Sequence, residues 1–227
     1  MARISKIDNS VKKRFARKEH SRAVGLREQR IYFLIICEGE KTEPNYFKGL
    51  KKDLPIGSLV VADMTIEGTG RNTENLIDFT IKYQKRSNQR FDRTWAVFDR
   101  DSFTEEQFNN AIIRAEASQI NCAWSNEAFE LWFLLHFQLV NNAMSREDYK
   151  PYLEREIKRT SSKTEYTYKK NDVNTYAILK EFGDQAKAIN RAKELRARFT
   201  DRKHAGHNPC TLVHLLIDEL FNPGGLI

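Results

Sequence analysis

Ile31-Tyr32-Phe33-Leu34-Ile35-Ile36-Cys37 is an unbroken apolar run, and Glu38-Gly39-Glu40-Lys41-Thr42-Glu43-Pro44-Asn45-Tyr46-Phe47 follows it with an abrupt change to charge and helical spacing. A run of β-branched and aromatic residues without polar alternation marks a strand covered on both faces, the kind found in parallel sheets. The segment after it reads as a helix. Thr42 offers a cap, and Pro44 fits the first turn, where its missing N–H costs nothing.

The same unit recurs downstream. LVVADMTI (59–66) reads as a second strand, and GTGRNT turns the chain into a helix through Leu76, Ile77, Thr80 and Tyr83. TWAVFD (94–99) is a third strand. Thr104-Glu105-Glu106-Gln107 then forms a capping box ahead of Phe108, Ala111, Ile112 and Ala115 at helical spacing. INCAW (120–124) is a fourth strand, and SNEAFELWFLLHF predicts a helix from Ser125 or Asn126 that is too apolar to lie on a surface. Strand and helix alternating with short connections predict an α/β fold: a parallel sheet of about four strands, flanked by helices, with right-handed crossovers. After residue 140 the pattern is helical only, over 147–158, 173–182, 185–199 and a last helix opened by Asn208 and Pro209. The organisation expected is a basic arm (1–30), an α/β domain (31–140) and an all-helical extension packed on it (141–227).

The 227 residues carry a net charge of +7, unevenly placed. Residues 1–30 hold +7, 31–140 hold −4, 141–207 hold +6 and the remainder −2. Basic flanks around an acidic middle suit phosphates held outside and carboxylates at work between them. A solvated tail and a soluble helical surface would give the same counts. No apolar run approaches the ~18 residues of a membrane span, and no apolar signal region opens the chain, so a cytoplasmic protein is expected. Cys37, Cys122 and Cys210 have neither finger nor disulfide-framework spacing and read as buried free thiols.

In an open parallel sheet, reactive groups collect beyond the carboxyl ends of the strands. Glu38 follows the first strand directly, with Glu40 and Glu43 close behind, and Asp99 and Asp101 follow the third. The i, i+2 spacing puts Asp99 and Asp101 on one side of an extended segment, with Arg100 turned away. With Glu38 they could form an oxygen cage for Mg²⁺. Two carboxylates ~4 Å apart at an effective dielectric near 20 repel by roughly 4 kcal/mol, which calls for a cation or a shared proton. The competing assignment is that these acids cap helices or pair with Arg100, Lys41 and other bases. Glu130, one turn into the apolar helix, needs a partner and either supplies a third ligand or orients the others. His136, Trp95, Trp124 and Trp132 read as core. The mixed set His204, His207, Cys210 and His214 fits no zinc pattern.

CEGEKTEPNYF (37–47), VFDRD (97–101) and SNEAFELWFLLHF (125–137), in this order and spacing, resemble the RloB family, prokaryotic Toprim-related proteins commonly encoded beside an AAA-type ATPase in phage-defence loci. The closing NPCTLVHLLIDEL is similar to the family's C-terminal segment. The resemblance implies a Toprim-like fold and a metal-dependent phosphodiester-cleaving site, with Glu38 as the glutamate and Asp99 and Asp101 as the metal-binding pair. Where topoisomerase and primase relatives usually carry an acid three positions after the Glu-Gly pair, this chain has Thr42, with Glu43 one further. On this reading Mg²⁺ or Mn²⁺ lies on Glu38, Asp99, Asp101 and Glu130, with Glu38 able to shuttle a proton and Lys41 neutralising a phosphate oxygen. Arg71 in the GTGRN turn, with Arg14, Arg17 and Lys18 of the arm, would hold the nucleic-acid backbone, DNA or RNA, tRNA included. The expected function is an Mg-dependent endonuclease acting as the effector of an ATPase-coupled defence system. The alternative is a non-catalytic module that binds nucleic acid or an AAA/ABC-type ATPase. A nucleotide-binding regulator is disfavoured, because GxxxxGK and GxGxxG are absent.

Overall fold

A computed structural model describes residues 29–55, 60–70, 73–100, 103–161 and 165–223. The basic arm before Gln29, with Arg14, Arg17 and Lys18, lies outside the described residues, as do Arg71 and Asp101.

The alternation of strand and helix holds. β1 (Gln29–Cys37), β2 (Val60–Gly68), β3 (Arg93–Asp99) and β4 (Asn121–Asn126) are parallel, and α1 (Thr42–Lys51), α2 (Thr73–Arg86) and α3 (Glu105–Ala117) connect them. The sheet order is β2-β1-β3-β4-β5. β1 thus lies between β2 and β3, so the order reverses there and opens a crevice beyond the carboxyl ends of β1 and β3. The result is a mixed α/β fold with a mostly parallel five-stranded sheet, consistent with a Toprim-like fold.

Both faces of the sheet are covered, as the β1 run requires. Phe33, Ile35 and Cys37 point to one face with Trp95 and Val97, and Leu34 and Ile36 point to the other with Ala96 and Phe98. The second face packs on α2 and α3 through Leu76, Ile77, Phe108, Ala111, Ile112 and Ala115. The capping box is present: Gln107 N–H donates to Thr104 Oγ1 at 3.2 Å, and Thr104 N–H donates to Gln107 Oε1 at 3.1 Å. The first face takes α1 and α4 (Glu130–Leu135) together with the helices after residue 140. These are α5 (Arg146–Ser161), α6 (Thr175–Phe182), α7 (Gln185–Ala197) and α8 (Val213–Phe221). Trp132 Nε1–H donates to the Tyr46 hydroxyl at 2.8 Å and ties α4 to α1 inside this layer.

Four details differ from the sequence reading, each for a tertiary reason. First, the segment after residue 140 is not helical throughout. β5 (Cys210–Thr211) adds a fifth, antiparallel strand beside Ser125 and Asn126, and the last helix starts at Val213 rather than at Asn208 or Pro209. Second, that pairing, with the Ser125 and Thr211 hydroxyls 2.9 Å apart, extends β4 to Asn126, so the apolar helix begins at Glu130 and not at Ser125. Third, Thr42 does not cap α1. It is the first helical residue, and its hydroxyl donates to the Lys170 carbonyl at 2.9 Å. Fourth, Cys37 and Cys210 are buried, whereas Cys122 is only half-buried.

Glycine is required at Gly68. A Cβ there would lie 2.7 and 2.8 Å from the backbone carbonyl oxygens of Gly39 and Glu40, which cannot move aside. The end of β2 therefore passes directly against the loop that leaves β1. At the opposite end of the sheet, buried Glu219 of α8 accepts from Trp95 Nε1–H at 2.7 Å and Arg93 Nε–H at 2.8 Å. Glu219→Ala leaves the indole N–H unsatisfied in the core and should cost about 2–4 kcal/mol by urea denaturation; a loss below 1 kcal/mol would mean this bond does not anchor α8.

Candidate functional site

Glu38 is the first residue past β1, and its N–H donates to the Val97 carbonyl at 2.9 Å, so β3 fixes its backbone. Asp99 is the last residue of β3, and its N–H donates to Glu38 Oε2 at 3.2 Å. The two acids therefore meet across the reversal in strand order. They line a cleft of about 420 Å³ with Gly39, Glu40, Lys41, Thr42, Glu43, Arg146, Lys170 and Asn171.

The floor of the cleft is acidic and partly desolvated. Glu43, in the first turn of α1, is buried, and its carboxylate lies so close to the Gly39 Cα that a Cβ there would collide with it. Glu130, also buried, opens α4 and accepts the Tyr168 hydroxyl on Oε1 at 3.1 Å. One oxygen of Asp99, Oδ1, and one of Glu130, Oε2, are buried without a hydrogen-bond partner. Burial pushes the Asp99 carboxyl well above the usual range, Glu43, Glu130 and Glu38 add to that rise, and Arg146 opposes it. Burial likewise raises Glu43, with Glu130 adding to the rise; a backbone hydrogen bond, Lys170 and Arg146 act against it.

Cations stand at the rim. Lys41 is exposed at the mouth of α1. Lys170 and Asn171 come from the segment between α5 and α6, which is pinned to α1 where Thr42 and Asn45 donate to the Lys170 and Asn171 carbonyls at 2.9 and 3.1 Å. Arg146, in the first turn of α5, places Nη2 3.2 Å from Asp99 Oδ2.

A family model described as RloB-like protein matches residues 33–220, from β1 into α8. The chain belongs to the RloB-like family. No curated protein and no solved structure matches it.

In this RloB-like chain the structure brings Glu38, Lys41 and Asp99 to one cleft, with Glu130 buried close enough to bear on the charge of Asp99 and Glu43. Asp101 and Arg71 fall outside the described residues. The Arg100 guanidinium donates to the Phe103 carbonyl and lies 6.0 Å from the Phe108 ring centre. His136 is a core histidine: Nδ1 is 3.0 Å from the Trp132 carbonyl, and burial lowers its pKa to about 4. Glu43 was noted from sequence among the acids behind the first strand but given no role in the site. Arg146 and Lys170 were not singled out, and they carried no signal beyond their charge, because their positions depend on how α5 and the following segment fold back.

An oxygen-only donor set with buried, unpartnered carboxylate oxygens fits Mg²⁺ or Mn²⁺. Among the described residues, however, no group of three His, Cys, Asp or Glu side chains is arranged to hold a metal ion. Arg146 already takes one oxygen of Asp99.

Carboxyls raised above their unfolded values take up protons on folding, so they favour the fold at low pH and lose that contribution as pH rises through the raised values. In EDTA, stability should therefore fall as pH rises from the ordinary carboxylate range toward the alkaline side. Asp99→Asn should flatten this slope and match or exceed the wild type in melting temperature at the upper end. Thermal melts across that range decide it, and an unchanged slope in the variant would sink the charge-crowding account.

Proposed function

We propose that this RloB-like protein is a divalent-cation-dependent endonuclease, cutting phosphodiester bonds of DNA or RNA as the effector of a defence system coupled to an AAA/ABC-type ATPase. One observation carries the reading. Carboxylates from the ends of the two central strands, Glu38 and Asp99, meet in a cleft whose rim is cationic, and Oδ1 of Asp99 is buried there without a partner. A backbone phosphate bridging such a rim would meet Lys41 and Lys170 outside and the acids inside.

Asp99 and Glu38, with Asp101 and Glu130 as further candidates, would hold Mg²⁺ or Mn²⁺, which when bound polarises the scissile phosphate and stabilises the departing oxygen. Glu38 is held in register by the Asp99 N–H and would accept a proton from an attacking water. Lys41 and Lys170 neutralise charge on the non-bridging oxygens, and their benefit grows as negative charge builds up. Gly39 leaves the space that Glu43 fills, so the loop after β1 and the first turn of α1 set the acidic floor together.

A second reading has its own support. Arg146 on Asp99 and the lack of a ready three-ligand group among the described residues fit a module that binds nucleic acid or the ATPase without cleaving.

Plasmid DNA, single-stranded DNA and total tRNA, incubated with Mg²⁺ or Mn²⁺ with and without the ATPase encoded alongside, separate the two. The nuclease reading expects metal-dependent cleavage that Asp99→Ala abolishes and Lys41→Ala slows by about 100-fold, with nucleic-acid binding retained. Binding without cleavage under every condition would leave the module.

A further inference from the structure

We infer that Arg146 is a tethered counter-ion that occupies the metal-binding face of Asp99 and gives way when a divalent cation enters, a role that rests on the metal-site reading above. The Asp99 side chain is 7% exposed and that of Arg146 is 36% exposed, so a nearly buried carboxylate is paired with a guanidinium that has room to leave. The pair uses Oδ2 of Asp99 only; Oδ1 stays buried and unpartnered. Around Asp99 stand Glu38, Glu43 and Glu130, all of like charge, and Arg146 is the cation that offsets them there. Without a guanidinium on Asp99, that carboxylate would lose the cation that acts on it directly, and Lys170, which bears on Glu43, would be left to offset the group.

A divalent cation on Asp99 and Glu38 opposes the interaction. The guanidinium would then stand against a double positive charge at close range, and the repulsion weakens its hold on Oδ2. The helix itself need not move. Ser145 donates its N–H and hydroxyl to Asp148 Oδ2 at 2.9 and 2.7 Å, and Tyr149 and Leu153 are buried one and two turns on, so the start of α5 is anchored on its own account. Only the arginine side chain has to swing. Its reach keeps it in the cleft wall, where a planar fork of donors suits a phosphate with Lys41 and Lys170 alongside.

The test is Mn²⁺ binding to the full chain without nucleic acid, followed by electron paramagnetic resonance of the free ion. Arg146→Ala should bind Mn²⁺ about tenfold more tightly than wild type, since removing a competing positive charge near a dication is worth about that much. Arg146→Lys should stay near wild type, and Asp99→Asn should bind far more weakly. Thermal melts supply the second readout. Arg146→Ala should melt lower than wild type in EDTA, yet gain more from added Mn²⁺. If the alanine variant does not fold, Arg146→Gln takes its place. Equal or weaker Mn²⁺ binding by the uncharged variants, with Asp99→Asn still impaired, overturns the counter-ion role and leaves the metal reading standing. Failure of wild type and all variants to bind Mn²⁺ overturns both.

Discussion

Negative charge gathered at the carboxyl ends of two adjacent parallel strands is the constraint around which the rest of the molecule is arranged. Glu38 and Asp99 are brought into contact by backbone hydrogen bonding between β1 and β3, so their proximity follows from the sheet itself. Repulsion between carboxylates at short range, in a site where burial strips their water, amounts to several kcal/mol. Such a cluster persists only if cations or protons offset it. The cleft draws on both: Asp99 and Glu43 have raised proton affinities, and Arg146 and Lys170 enter from outside the sheet.

The helices after residue 140 therefore bear on the chemistry as well as on the core. They cover the face of the sheet that carries Phe33, Ile35, Cys37, Trp95 and Val97, and this packing places α5 and the Lys170 segment over the crevice. Thr42 and Asn45 hold the Lys170–Asn171 backbone, and Tyr168 reaches down to Glu130. A segment remote in sequence thus supplies cations to acids fixed much earlier in the chain. Membership in the RloB-like family, matched over residues 33–220, covers the acids and the elements that neutralise them alike.

The sheet was legible because its signal is local. The β1 run, the capping box at Thr104 and the apolar spacing of α3 each depend on neighbours within a turn or a strand, and each appears where the sequence places it. The details that were misread depend on distant residues. The chain at Ser125 looks like a helix start until Thr211 pairs with it, and Thr42 looks like a cap until Lys170 offers its carbonyl a better use for the hydroxyl.

The candidate site divides in the same way. The positions of Glu38 and Asp99 followed from sequence, because strand ends in a parallel sheet face a common edge whatever surrounds them. That edge is also where the strand order reverses, which required the β2-β1-β3 arrangement to be seen. Sequence by itself determined the α/β class, the four parallel strands and the acids at their ends, since periodicity and turn chemistry act over a few residues. Only the tertiary structure decided that Glu43 is buried beside Gly39, that β5 completes the sheet and that Arg146 sits on Asp99. Those contacts arise from packing between segments up to 86 residues apart, as between Ser125 and Thr211, and no local pattern encodes them.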